Sequence, residues 1–334
     1  MPRHSSRFAA ACLTALCYSA LAPRANGQVT TERGASILIF PRVAADAIAD
    51  TMVQLANLSD NRVAASCSYV DGASPTWQAL DFTVTLAPRR SWSWPAARGR
   101  SETLGEESID VPAAPAAFRG ALVCVQVDGA GDPFSGNELA GQATVTDRAT
   151  GDSAAYPAAG LRGSGLNDGD RLLCIGTETT DNCFFGEYDA CPAEWLLSVP
   201  AEGATDAQLG EGSRLSTRLA VVPCSQNFRD GEPASVDIDV TVFNELAQRF
   251  TGQASVRCWA DLSLADLGGE IFTRGMLGTD HADARLAPAS GSGGFIVNLQ
   301  TTRTAGDAPG AASSVAMTPA RRGAAATSDL IVLP

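Results

Sequence analysis

Three acids and two aromatic residues crowd the stretch Gly186–Trp195: Glu187, Tyr188, Asp189, Glu194 and Trp195, with Phe184 and Phe185 just ahead of them. Paired carboxylates beside an aromatic platform are what glycoside hydrolysis uses, one acid protonating the leaving oxygen while the other acts on the opposite face of the sugar. The same residues suit a sugar-binding face. They also suit a plain acidic loop whose aromatic groups cover the end of a fold, and the abundance of acids in this chain favours that reading. Even so, Glu187, Tyr188, Asp189, Glu194 and Trp195 are the first candidates for a binding site, because loops held by a rigid scaffold are where binding groups concentrate. No residue is assigned a catalytic role.

Other chemistries find less support. A Ser-His-Asp triad would have to use His281, within Thr279-Asp280-His281-Ala282-Asp283, and there is no G-x-S-x-G nucleophile turn. Phosphate-loop chemistry of the Walker type needs a lysine, and all 24 basic residues are arginine. Asn167-Asp168-Gly169-Asp170 and the set Asp128, Asp132, Asn137 and Glu138 gather oxygens without EF-hand spacing, which is the pattern of hairpin turns. No metal site and no cofactor are expected. Trp92 and Trp94 alternate ahead of Pro95, so both project from one face of an extended segment, as core or as an exposed stacking patch. Core is the favoured reading, with Pro95 marking an edge strand.

Residues 1–27 read as an export signal: Arg3 and Arg7, then the apolar run Phe8–Leu21, then Ala25-Asn26-Gly27 as the cleavage site before Gln28. Removing them takes three arginines and no acids, so 24 − 3 basic against 37 acidic residues leaves a net charge of −16. A field of that sign repels nucleic acid and anionic lipid, so neither nucleic acid nor a stable membrane anchor is an expected partner. The expected location is secreted, periplasmic or extracellular, after cleavage near Gly27. Cys12 and Cys17 leave with the leader, and the other seven of the nine cysteines read as disulfide formers in an oxidising compartment. The expected bridges are Cys67–Cys124, Cys183–Cys191 and Cys224–Cys258. Cys174 is then left over, buried in Leu172–Ile175 or paired with another chain.

These residues must be positioned by strands. Leu80, Phe82, Val84 and Leu86 alternate with polar residues, as do Val236, Ile238, Val240 and Val242. Further strands are expected at Ser36–Phe40, Ala121–Val127, Gly141–Thr146, Leu215–Val222, Ala254–Trp259 and Phe295–Leu299. Helical turns are expected only at Pro192–Leu197 and Asn244–Phe250. Asp50–Gly72 returns in diverged form near Val236–Asp261, matching Asn57 with Asn244 and Cys67 with Cys258. Ile39-Phe40-Pro41 matches Val221-Val222-Pro223, and Gly120–Cys124 can be laid over Gly294–Asn298. The expected fold is therefore all-β: two tandem immunoglobulin-like β-sandwich domains, a diverged internal duplication, over residues 28–165 and 166–334, the second carrying a disulfide-stapled loop.

Ile37–Val43, Gly186–Pro192, Val242-Phe243-Asn244-Glu245 and Leu330–Pro334 resemble segments of a set of uncharacterised exported bacterial β-rich proteins. The resemblance implies export and a β-rich fold and carries no catalytic residue. Three functions follow from the residues: a secreted non-enzymatic binding or structural module with a protein or carbohydrate partner; a carboxylate-dependent glycan hydrolase acting through the Glu187–Glu194 loop; or a subunit of a surface assembly. The first is favoured.

Overall fold

The structure is a computed structural model that describes residues 33–72, 79–104, 107–176, 183, 186–204, 213–305, 313–318, 321–322 and 326–334. The expected leader, Phe184 and Phe185 lie outside the described residues. The chain is built of strands in several mainly antiparallel sheets.

The first half runs β1 (Ile37–Ala45), β2 (Ala49–Asn57), β3 (Val63–Asp71), β4 (Ala79–Leu86), β5 (Ser91–Pro95), β6 (Arg100–Leu104), β7 (Glu107–Val111), β8 (Phe118–Val127), β9 (Leu139–Asp147), β10 (Ser153–Pro157) and β11 (Ala159–Leu161). β1 and β2 meet in register at Ala45 and Asp50, a corner that divides the strands into two layers. One layer is β11–β1–β8–β3–β4 and the other β5–β2–β9–β10. Alternation sends Leu38, Phe40, Leu122, Val53, Leu55 and Trp94 into the core between them. Trp92 and Trp94 are both buried, and the Trp94 indole N–H donates to the Tyr69 hydroxyl at 2.8 Å. β5 pairs with β2 alone among the described strands, the edge position that Pro95 suits.

The second half runs β12 (Leu172–Ile175), β13 (Cys191–Pro192), β14 (Trp195–Pro200), β15 (Ser213–Pro223), β16 (Gln226–Asn227), β17 (Ser235–Asn244), β18 (Arg249–Arg257), β19 (Ala260–Ser263), β20 (His281–Pro288), β21 (Phe295–Ala305), β22 (Ser313–Thr318), β23 (Arg321–Arg322), β24 (Ala326–Thr327) and β25 (Asp329–Val332). Its two larger sheets are ordered β18–β17–β20–β14–β23 and β19–β15–β21–β22. The core of this half continues into the first: Ile37, Ile39, Val123 and Val125 belong to the same buried cluster as Val221, Val240 and Leu299. β1 is therefore buried along its whole length, one face in each core.

Neither expected helical turn forms a helix. In Pro192–Leu197, Pro192 pairs with β24 and Trp195–Leu197 pair with β20, the buried Trp195 and Leu197 flanking an exposed Leu196 in an alternation too short to read from the sequence. Asn244–Phe250 is a turn leading into β18: Asn244 Oδ1 accepts from the N–H groups of Leu246 and Gln248, which closes the chain before a helix can start. The helical residues lie at α1 (Leu264–Gly268), a 3₁₀ turn (Gly269–Phe272) and α2 (Arg274–Leu277). Ser263 and Asp266 cap α1 reciprocally, a box visible in the residues Ser-x-x-Asp.

The bridges are Cys67–Cys124, Cys174–Cys183 and Cys191–Cys224. The first is as expected; Cys67 and Cys124 face each other on neighbouring strands of one sheet, with Cα atoms 4.0 Å apart. The expected Cys183–Cys191 and Cys224–Cys258 pairs are corrected. Cys191 on β13 and Cys224 at the end of β15 flank Gly294: the Cys224 N–H donates to its carbonyl, and a side chain there would meet Cys191 Cβ at 2.9 Å. That leaves Cys183 to Cys174, so Cys174 is not the odd residue. Cys258 lies between β18 and β19, and β19 pairs with β15; it is buried, belongs to none of these three bridges, and has its Sγ 3.9 Å from the Asp71 carbonyl.

Candidate functional site at the junction of the halves

The junction is organised by a defect in β1. Phe40 pairs with Leu122, but the next partner of the β8 chain, Gly120, pairs with Val43, so β1 carries one extra residue at Pro41-Arg42. A bulge of this kind frees backbone groups and re-aims a side chain. Pro41 has no N–H to strand. The freed groups of Arg42 are taken by the buried Tyr156 hydroxyl, which accepts from the Arg42 N–H at 3.1 Å and donates to the Arg42 carbonyl. Burial holds the Tyr156 phenol well above its usual range, so it remains a donor. The Pro41 carbonyl accepts the Trp259 indole N–H at 2.7 Å, a bond from one half to the other.

Turned into the junction, Arg42 is 7% exposed. Its Nη2 donates to Asp261 Oδ1 at 2.9 Å and its Nε to Asn298 Oδ1 at 3.3 Å. Asp261 also receives Arg218, through Oδ2 at 2.9 Å and through its carbonyl at 2.7 Å. One carboxylate thus joins two guanidinium groups from different halves, and leaving the buried Arg42 or Asp261 charge unpaired would be costly. Above this lock lies a cleft of about 200 Å³. Its walls include the apolar Val43, Ile48 and Val145, the ring of Trp259, and the polar groups of Arg119, Asp152, Arg218, Gln300 and Thr302. Arg119 is held by Asp46, whose carboxyl burial would raise; the hydrogen bonds from Arg119 and from the Ala49 and Ile48 backbone outweigh that and leave it below the usual range. A half-polar cleft with fixed guanidinium groups beside the Gln300 amide and Thr302 hydroxyl can bind a polar ligand by directed hydrogen bonds.

The residues singled out from the sequence lie elsewhere, and each has a partner in the fold. Glu187 is buried, and its two oxygens accept from the Cys174 N–H at 2.8 Å and the Asp168 N–H at 3.1 Å. Burial raises its carboxyl above the ordinary value despite those bonds, with the charges of Asp168 and Asp170 adding to the rise. Tyr188 is buried, and its hydroxyl accepts from Asn167 Nδ2 at 2.9 Å. Asp189 donates its backbone N–H to the Arg162 carbonyl. Glu194 is paired with Arg285, and the buried Trp195 donates to the Phe295 carbonyl at 2.7 Å. The stretch therefore clamps β12, β14 and the Asn167–Asp170 turn together.

The turn acids behave as turns. Asn167, Asp168 and Asp170 each accept a backbone N–H two residues on, and Asp128 accepts from Ala130 and Asp132. His281 is exposed at the start of β20. Sulfur and oxygen atoms of Cys191, Cys224 and Asp329 lie within 4.8 Å of one another. The two sulfurs are bonded to each other, and the Asp329 carboxylate is taken by the Gly294 N–H, Ser225 and Thr327. Arg42, Arg218, Trp259 and Asp261 were not singled out from the sequence. The available signal was Arg42 itself, a charge next to a proline inside the apolar run Ile37–Ala45.

No family model matches the chain, and no curated protein matches it either. Among solved structures, a chain described as the crystal structure of Thermotoga maritima 1070 is similar over 39% of this chain and 98% of its own. Its identity is 12% and its TM-score 0.28, a likeness that carries no argument about fold or function.

Proposed function

We propose that the protein is an exported, non-enzymatic binding module that holds a segment of a carbohydrate or protein partner at the junction of its two halves. The observation that carries this reading is the cleft over the Arg42–Asp261–Arg218 lock: a β-bulge aims the central arginine, and bonds from both halves fix these three side chains before any ligand arrives. Groups held in place beforehand lose little freedom on binding, which is what gives a small polar site useful affinity.

Three disulfides fit an extracellular or periplasmic location. No helix among the described residues is long and apolar enough to cross a membrane. On this reading residues 1–27 are the leader that is removed. The halves are taken to be tandem immunoglobulin-like sandwiches derived from one duplicated unit. Support comes from register: Ile39 pairs with Val123 and Phe40 with Leu122, as the matched Val221 pairs with Val297 and Val222 with Ile296. The Cys67–Cys124 bridge differs from the staple of antibody domains, which joins two sheets rather than two strands of one. The hydrolase reading loses ground because Glu187 and Glu194 are each committed to a partner.

The test is the full chain on glycan and peptide arrays. Binding should weaken in Gln300→Ala, Thr302→Ala and Arg218→Ala and persist in Arg89→Ala, a change at an exposed ion pair remote from the cleft residues. Identical array profiles for all four variants would overturn the reading.

A further inference from the structure

A second concavity, of about 610 Å³, lies on the first half, away from the junction residues. Its floor comes from the face of β3 and β4 that looks away from their core. Ser66 pairs with Thr83 and Ala64 with Thr85, while the intervening Ala65, Cys67 and Val84 are buried in that core. Strand alternation therefore sets three hydroxyl groups on one face, Thr83 and Thr85 along β4 and Ser66 opposite Thr83.

The wall is Phe134, 49% exposed and the largest exposed apolar group in the groove. Its backbone is pinned: the Phe134 N–H donates to the Gln126 carbonyl at 2.9 Å. The Gln126 side chain is locked in turn, its Nε2 donating to Glu138 Oε2 at 2.7 Å and its Oε1 accepting from the Glu138 N–H at 3.1 Å. Gly136 allows this closeness, since a Cβ there would sit 2.5 Å from Gln126 Nε2 and 2.7 Å from the Phe134 ring. Nothing in the core needs that ring, and the turn around it holds it out to solvent.

We propose that this groove binds a neutral oligosaccharide. A pyranose ring has an apolar face of C–H groups and an equatorial rim of hydroxyls. The Phe134 ring offers a flat apolar surface for the first, and Ser66, Thr83, Thr85 and the Glu138 carboxylate offer partners for the second. A lone ring among hydroxyls is a poor match for an apolar protein surface, whose contact patches are larger and continuous. Charge selects against acidic glycans: Asp128 and Glu138 outnumber Arg62 in the groove, on a chain of net charge −13.

This site shares no residue with the junction cleft, so the two are separable by mutation. The experiment is affinity electrophoresis of the full chain in gels containing dextran, galactomannan, mixed-linkage β-glucan or, as the acidic control, alginate. At least one neutral polymer should retard the protein and alginate should not. Phe134→Ala should weaken retardation roughly two- to tenfold, the range expected from losing one aromatic contact. Thr83→Val, which keeps shape and removes a hydroxyl, should weaken it by a smaller factor. Phe134 is exposed, so its variant should keep the wild-type melting temperature, measured alongside. No retardation by any neutral polymer, or equal retardation of wild type and Phe134→Ala, would overturn the proposal. Loss in Arg218→Ala with full retention in Phe134→Ala would move sugar binding to the junction cleft and equally reject the groove.

Discussion

The paired strands β1 and β8 of the first half and β15 and β21 of the second meet in the same register, yet they turn opposite faces toward their own cores. Phe40, Leu122 and Cys124 point into the sandwich of the first half. Their counterparts Val222, Ile296 and Asn298 lie on the face that looks across the junction, where Asn298 receives Arg42 and the next residues on that face, Gln300 and Thr302, line the cleft. Register is set locally, by which residues pair. The choice of face is set by what each face must satisfy: a buried amide at Asn298 needs a polar partner, whereas the matched Cys124 forms a bridge within an apolar core. The Asn57 and Asn244 positions behave alike. Each is buried at the end of a strand, accepts a backbone N–H two residues on, and donates to carbonyls of a neighbouring segment.

The largest expected effect separates the matched cysteines. The double change Cys67→Ala/Cys124→Ala opens a loop of sequence separation 57 and should cost about 4 kcal/mol in urea unfolding by the chain-entropy estimate. Cys258→Ala breaks none of the three bridges and should cost on the order of 1 kcal/mol. Equal losses would mean that the two positions do the same job after all.

Next in size is the lock between the halves. Asp261→Ala strands the buried Arg42 without its carboxylate, while the half-exposed Arg218 stays in water, and should cost about 3 kcal/mol. Because β1 lies in both cores, the unfolding transition should stay single in the wild type; two resolved transitions would show that the halves are energetically separate. Asn57→Ala and Asn244→Ala should then each cost roughly 1–3 kcal/mol, and by similar amounts, since each leaves buried backbone groups without a partner. A cost at only one of them would break the correspondence of the halves.

The smallest effect is a pH slope at Glu187. Burial raises its carboxyl above 4.5 in the folded protein, so the native state holds more protons than the unfolded chain between 4.5 and the raised value. Its contribution to stability is therefore present at low pH and falls as pH rises through that window. The wild type should lose stability relative to Glu187→Gln across it. A constant difference would place the Glu187 carboxyl at its ordinary value.

Much of the fold was legible in residue order, because half-buried strands write a period of 2: β4, β8, β15, β17 and β21 all fall where alternation or apolar runs place them. The Cys67–Cys124 bridge was legible because both cysteines lie in strong strand patterns. The other pairings were not, since which sheet a strand end joins decides its cysteine's neighbour, and nothing local to Cys224 or Cys258 encodes that. The Glu187 stretch drew attention by composition; in the fold Glu187 accepts the Cys174 N–H and Trp195 donates to the Phe295 carbonyl. The junction stayed hidden because its parts are 219 residues apart in the Arg42–Asp261 pair, a separation no window spans. Only Pro41-Arg42, interrupting an apolar strand, marked it.

The most direct check is non-reducing peptide mapping by mass spectrometry on protein recovered from periplasmic and culture fractions. The account predicts a chain starting near Gln28, with linked peptides for Cys67–Cys124, Cys174–Cys183 and Cys191–Cys224. Reduced cysteines on an uncleaved chain would contradict export. A Cys224–Cys258 peptide in place of Cys191–Cys224 would contradict the attachment of β13 to the end of β15.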